Sequence, residues 1–418
     1  GIHADLVLGQ ASFTGSSANK GGSVSDSGVW NPIGVAISST YMYVADSQNH
    51  RVLIWTTLPT SNGQSANRVL GQADFTSNSQ NQGVTVTTNT LAGPTGVYAD
   101  STKLYVADAT NHRILIWNTT TPATNSSADR VLGHTVFSNS DLNNGGSVGA
   151  GTLYAPNNVF SNNSQIFVSD YYNNRVLIWN TTTPANGADA DIVLGQANFT
   201  STGANRAGSV AANTLEAPSY VWADSSHIYV ADTTNNRILI WNSLTPTSGS
   251  SADVVLGQSS MTENTSAVTQ SGLTAPFAVI SDGNNIYVSD NNRIMIWHTT
   301  SPTSGSSASA VIGKSVFDAE NIAYDVSTTT IDPIELVYNS GKLWAVDGGA
   351  QRLLRYDLTP STPVAPTLST SATSSITLSF NSLNNSTTTV STTQFSIYNG
   401  TSGAFVTAAG GSGATPVW

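Results

Sequence analysis

The chain has 418 residues, 39% of them hydrophobic, which is enough to fill a large core, but only 9% are charged. Ser, Thr, Asn and Gly supply the polarity instead, a composition suited to an extracellular surface. The net charge of -11, with 14 Lys and Arg, excludes nucleic acid as a partner, because phosphate binding rests on basic side chains displacing counterions. The absence of cysteine excludes disulfides, thiol chemistry and Cys-ligated metals. No apolar run approaches the roughly 18 residues needed to span a bilayer. The chain begins at Gly1 without a signal peptide and reads as a processed or partial product, so an extracellular or cell-surface location is expected from composition alone.

Taken in order, the first element is a short apolar strand within Ala4–Phe13 that ends in Val-Leu-Gly-Gln. Its relatives end at Gln72, His134, Gln196, Gln258 and Lys314. A long polar loop follows each, for example from Thr76 to Gly93, and then a Pro that suits the first position of a strand: Pro32, Pro94, Pro156, Pro218, Pro276 and Pro333. Next comes a strand of the type Tyr-Val-Ala-Asp, ending in Asp46, Asp108, Asp170, Asp232, Asp290 and Asp347. After a turn, a strand of the type Arg-Ile-Leu-Ile-Trp begins at Arg51, Arg113, Arg175, Arg237, Arg293 and Arg352. Three steps of 62 residues, then 58 and 57, separate the Asp residues. A fixed period of this size, with apolar runs and no helical pattern between them, predicts a repeat architecture of small sheets.

Each unit is therefore read as a four-stranded propeller blade. The third strand is apolar at consecutive positions, so both faces are buried, and the repeats must stack in a closed ring. Because a Val-Leu-Gly strand precedes the first Pro and none follows Arg355-Tyr356, the N-terminal strand is expected to complete blade six. Residues 5–9 then pair with the strand ending near Asp357. The long loops fall on one face of the disc, where they are either blade caps or a partner surface.

After Asp357 the composition changes to the Pro-rich linker 359–365, and alternating apolar and polar residues at Ser375–Phe380 and Gln394–Tyr398 predict sandwich strands. Residues 366–418 number 53, against about 100 for a full sandwich. Strands supplied by later residues, or by a neighbouring subunit in a head-to-tail filament, would complete it.

The core Tyr-Val-Ala-Asp-x-x-Asn-His/Asn-Arg-Ile/Val-Leu-Ile-Trp resembles the NHL repeat, and six copies look like a six-bladed NHL propeller over residues 1–358. Repeat five loses two residues in its turn, and repeat six has Ala350 for Asn and Tyr356 for Trp. The C-terminal piece resembles the first strands of a fibronectin type III or immunoglobulin-like module, through Ala365-Pro366-Thr367 and Ser-Ile-Thr-Leu-Ser-Phe. The NHL resemblance implies protein-interaction platforms, RNA-binding modules or an amidating lyase, and related six-bladed propellers hold a metal in the channel. The basic face of the RNA-binding members has no counterpart here.

The six Asp and six Arg residues are expected to be structural turn groups, each Asp bonding the backbone N–H groups that follow it and each Arg binding back to its Asp. Candidate ligands at the channel mouth are Asn157, Asn158 and Glu335, in blades that face each other, and a calcium-dependent lyase or lactonase-like activity there is the enzyme alternative. The six His residues are scattered over different repeat positions, with His50 and His112 in a turn slot. Gly313-Lys314-Ser315 lacks the upstream glycine of a phosphate loop. A glycan or small-ligand receptor would use the long-loop face, with Trp30, Tyr154 and Trp222 as aromatic contacts. Glycan acceptor sequons stand at Asn118, Asn125, Asn162, Asn180, Asn198, Asn264, Asn384, Asn385 and Asn399. The expected function is a non-enzymatic extracellular protein of cell-surface adhesion or assembly, with protein partners that include further copies of itself, and with no cofactor.

Overall fold

Turn residues between apolar runs fold each repeat into an antiparallel four-stranded sheet. In blade 1 the strands are Pro32–Ser38, Tyr41–Asp46, Arg51–Trp55 and Arg68–Leu70, hydrogen-bonded in chain order. Blades 2 to 5 repeat this order, and the six sheets form a six-bladed β-propeller. The computed structural model describes residues 2–318, 326–358, 367–370, 376–379, 398–399, 404–406 and 412–413. Its two compact units are Gly1–Thr359 and Pro360–Trp418.

Ring closure follows the order of the sequence landmarks. The N-terminal strand Leu6–Leu8 pairs antiparallel with Arg352–Asp357 in the register Leu6↔Arg355, Val7↔Leu354 and Leu8↔Leu353. Asp5 extends the seam, donating its N–H to the Arg355 carbonyl at 2.8 Å and pairing its carboxylate with the Arg355 guanidinium at 2.9 Å. The third strands are buried on both faces: Val52, Leu53 and Ile54 expose nothing, and Trp55 is 1% exposed. Each such Trp donates its indole N–H to a carbonyl in the loop that follows, as Trp55 does to Gln64 at 3.0 Å.

That loop has a second use. An outer strand presents a free edge, and in five blades the third-to-fourth strand loop of the next blade covers it. Gly63, Asn125, Gly187, Gly249 and Gly305 donate their N–H groups to the carbonyls of Val7, Val69, Val131, Val193 and Val255, at 2.8 to 3.0 Å. All five have positive φ, between 58° and 73°, which explains the Gly or Asn at this position. Covering an edge in this way blocks edge-to-edge association.

Blade 5 differs at its start. Its inner strand is only Val279–Ser281, so Pro276 and Phe277 precede it rather than open it. Its shortened turn, Asp290 to Arg293, is a tight hairpin with Asn292 at φ 56°. In the second unit, Thr367–Thr370 pairs with Ile376–Ser379, and Tyr398–Asn399, Ala404–Val406 and Ser412–Gly413 form a three-stranded sheet. The expected strand at 375–380 is present as Ile376–Ser379. Most of the expected strand at 394–398 and the Pro-rich linker lie outside the described residues.

Candidate functional site

The recurring residues pair as Asp46–Arg51, Asp108–Arg113, Asp170–Arg175, Asp232–Arg237, Asp290–Arg293 and Asp347–Arg352. Each is an ion pair 2.6 to 2.8 Å long with both side chains fully buried. In blade 1 one Asp46 oxygen accepts the N–H of Trp30 at 2.7 Å, and the other accepts Asn49 Nδ2 at 2.9 Å and Arg51 Nε at 2.7 Å.

The expectation that each Asp bonds the N–H groups after it is corrected here. Asp108 accepts the N–H of Ala92 at 2.7 Å, 16 residues earlier in the long loop, and Asp347 accepts that of Asp332 at 2.9 Å, 15 residues earlier. Asp170, Asp232 and Asp290 take theirs from Tyr154, Glu216 and Thr274 in the same way. The reason is that the residues after the Asp form a 3-10 turn whose backbone closes on itself, as His50 N–H does on the Ser47 carbonyl, His112 on Ala109 and Gln351 on Gly348. Asp290 lacks that turn and also accepts the N–H of Asn291.

Arg51 spends its remaining donors on the carbonyls of Phe75, Ser25 and Gly28. One guanidinium thus ties two long loops to the blade, and a buried ion in this position needs that full set of partners. In blade 6, Arg352 reaches the Phe13 carbonyl beyond the closing strand.

The long loops are anchored by a second polar set that the sequence carries at a 62-residue step. Asn19, Asn81, Asn143 and Asn205 are nearly buried with φ near 50°. Their amides meet those of Asn49, Asn111, Asn173 and Asn235. These loops therefore cap the blades on which they lie. Between blades, the left-handed turn residue accepts an N–H from the loop residue before the next Pro. His50 Nδ1 does so from Gly93 at 2.9 Å, His112 Nδ1 from Ala155 at 3.1 Å, and Asn174 and Asn236 through Oδ1 from Ala217 and Ala275 at 2.8 Å. Burial lowers the pKa of both His50 and His112, in keeping with a neutral ring whose Nδ1 accepts. Burial also lowers that of His134, whose Nε2 lies 2.9 Å from the Asn111 carbonyl and so carries the proton.

The three channel candidates are engaged with other blades: Asn158 and Glu335 are buried and Asn157 is half-buried. Asn157 Nδ2 donates to the Ser219 carbonyl at 2.9 Å, and Asn158 Oδ1 accepts the Val221 N–H at 3.2 Å, both across to blade 4. Glu335 is 2% exposed and accepts the Tyr220 hydroxyl at 3.3 Å and the Val35 N–H. Burial pushes its carboxyl well above the ordinary range, and raises Tyr220 as well. Tyr220 fills the space between these groups, and the positions equivalent to it in blades 1, 2 and 5 are Gly34, Gly96 and Ala278. A Cβ on Gly34 would lie 2.3 Å from the Thr95 carbonyl oxygen. These residues do not fit calcium: one buried carboxyl under the Tyr220 hydroxyl, and amide groups already bonded to the neighbouring blade, do not make a hard-cation cage. Among the described residues no three His, Asp or Glu side chains are grouped to hold a metal.

The aromatic candidates separate. Trp30 is 40% exposed in a long loop, and Tyr154 packs against His112 and Tyr172 at 5.3 and 4.9 Å on the same face. Trp222 sits at the far end of its inner strand, next to Ala223, which pairs with Ile228 at the hairpin on the opposite face. Of the sequons, Asn118, Asn180, Asn198 and Asn264 are exposed, and Asn125 and Asn162 are half-buried. Asn399 lies in a described strand, while Asn384 and Asn385 are outside the described residues.

No family model matches this chain, and no curated protein matches it. Among solved structures, a similar chain occurs in the crystal structure of a nidogen/laminin complex, at 13% identity over 67% of this chain and 83% of that one, with a TM-score of 0.36. A likeness at that score carries no inference about what this chain binds.

Proposed function

We propose that the protein is a non-enzymatic, extracellular interaction scaffold of the NHL-like kind, and that its long-loop face binds a second copy of the chain. The observation that supports this is the placement of the large apolar side chains that remain in water among the described residues. Trp30, Val84, Val136, Leu142, Tyr172 and Val316 are 40 to 63% exposed, and all belong to long loops or to the turns beside them. Large apolar side chains left in water on one face of a folded unit offer that face as a contact surface. The ionisable groups that recur in the repeat are meanwhile committed to main-chain carbonyls and to one another, which favours a scaffold over a catalyst.

Sedimentation velocity of the full chain over a range of concentrations tests this. The sedimentation coefficient should rise with concentration, and the rise should disappear in a Trp30→Ser/Leu142→Ser/Tyr172→Ser variant that melts like the wild type. A coefficient independent of concentration, or self-association untouched by the three substitutions, would overturn the proposal.

A further inference from the structure

The face opposite the long loops is not six-fold symmetric: blades 1, 3 and 6 have Ser38, Asn162 and Asn339 where the other three have a hairpin Asp. In blades 2, 4 and 5 the first hairpin carries an Asp whose carboxylate accepts a Tyr hydroxyl from the second strand: Tyr105 to Asp100 at 2.7 Å, Tyr229 to Asp224 at 2.6 Å and Tyr287 to Asp282 at 2.8 Å. Such a hydroxyl also reaches the loop of the next blade, as Tyr229 reaches the Thr300 carbonyl at 3.4 Å. Blade 3 has Phe167 and Asn162 at these two positions, so neither bond can form. The loop of blade 4 is held instead by Gln165, whose Nε2 donates to the Leu244 carbonyl at 3.0 Å and to Asn180 Oδ1 at 2.8 Å.

Beneath this exchange lies a cavity of about 780 Å³. Its floor is aromatic in blades 2 to 4 only, from the fifth residue of each inner strand. Tyr98, Phe160 and Trp222 stand there, where blades 1 and 5 have Ala36 and Ile280. The ring centroids lie 4.7 Å apart for Tyr98 and Phe160, and 4.4 Å for Phe160 and Trp222. The wall is made mainly of amides and hydroxyls with one carboxylate, and there is no Lys or Arg among the lining residues. The Nδ2 groups of Asn163 and Asn180 bond no other described residue. Asp224, the carboxylate of the wall, has its oxygens taken by Ser226, His227 and Tyr229. Burial raises its pKa, but these bonds outweigh that and hold the carboxyl below its ordinary value.

We propose that this cavity is a binding site for a neutral saccharide. A pyranose has one face of C–H groups, which stacks on an aromatic floor, and an equatorial ring of hydroxyls that amide and hydroxyl walls can bond. The volume falls within the roughly 300–1,000 Å³ of small-ligand sites, and an apolar base with a few convergent polar groups is their usual construction. An anionic ligand would meet no cation in the wall and a net charge of -11 over the chain. Asn162 and Asn180, both at the cavity, head glycan acceptor sequons, so protein from a host that does not N-glycosylate leaves it open.

Titration calorimetry of the full chain with methyl glucoside, galactoside and mannoside and their disaccharides tests the site. At least one should bind saturably, and the corresponding uronate should bind more weakly. Thr245→Trp, an exposed rim substitution that obstructs the cavity without touching the core, should weaken binding by about tenfold or more, as should Trp222→Leu, which removes the largest floor ring. Thr245→Trp should melt like the wild type, so a loss there reports the cavity and not the fold. Failure of every saccharide in the panel to bind, or binding unchanged in both variants, would overturn the proposal, and tighter binding of the uronate would overturn the neutral class.

Discussion

Glu335 shows how a single residue differs in meaning between the sequence and the folded chain. As a lone carboxylate after a Pro it reads as a cation ligand, but in the ring it is buried under the Tyr220 hydroxyl, where burial raises its pKa. The consequence for stability has a definite sign. A carboxyl whose folded pKa is raised adds stability below its unfolded value of about 4.3 and loses it as the pH rises toward and through the folded value. Glu335→Gln keeps the oxygen that accepts from Tyr220 and Val35 and removes the titration. Calorimetric melting should find the variant equal to the wild type near pH 4 and more stable at neutral and alkaline pH. Equal melting at every pH would contradict a Glu335 whose pKa burial raises. The Asp and Arg residues changed meaning less. Their common step identifies them as structural, but the groups they hold are too far along the chain to be foreseen, such as Ala92 for Asp108, Asp332 for Asp347 and Phe75 for Arg51.

At the scale of elements, strand order and turn positions were legible because Pro, Gly and Asn mark them at a regular step. The polar links between elements were only partly so. Asn19, Asn81, Asn143 and Asn205 recur at a step of 62 and could have been found the same way as the Asp. Trp222 belongs to the face opposite the long loops because four residues of strand carry it about 13 Å beyond Pro218. The cavity of blade 3 was not legible, since Phe167 for Tyr and Asn162 for Asp look like ordinary repeat variation until the missing hydroxyl bond is seen.

The turn that joins one blade to the next carries a pH dependence of its own. His50 and His112 accept a main-chain N–H through Nδ1, and protonation removes that acceptor. Because burial depresses their folded pKa values, they contribute stability above the unfolded value of about 6.5 that is lost as the pH falls through the lower folded values. Blades 3 and 4 use Asn at the same position. A His50→Asn/His112→Asn variant should therefore match the wild type at pH 8 and exceed it in melting temperature below about pH 6. A wild type that loses no more stability than the variant on acidification would exclude neutral acceptor rings.

At the scale of the whole molecule, the repeats are held by the packing of each blade on its two neighbours, with the Tyr220 to Glu335 bond reaching from blade 4 to blade 6, so a ring open at one point would have two unprotected ends. The seam is a three-residue antiparallel pairing, Leu6–Leu8 with Leu353–Arg355, reinforced by Asp5 with Arg355 and by Arg352 with Phe13. Sequence order alone predicted this seam, because a strand of the outer type precedes the first blade and none follows the last. The faces of the disc follow from closure as well: the long loops and their exposed apolar side chains lie on one side, the blade 3 cavity on the other. The most direct measurement of this account is thermal melting of a chain lacking residues 1–12. Loss of the closing strand should lower the melting temperature of the entire propeller in one transition, and melting unchanged from the wild type would contradict a ring closed by its own N-terminus.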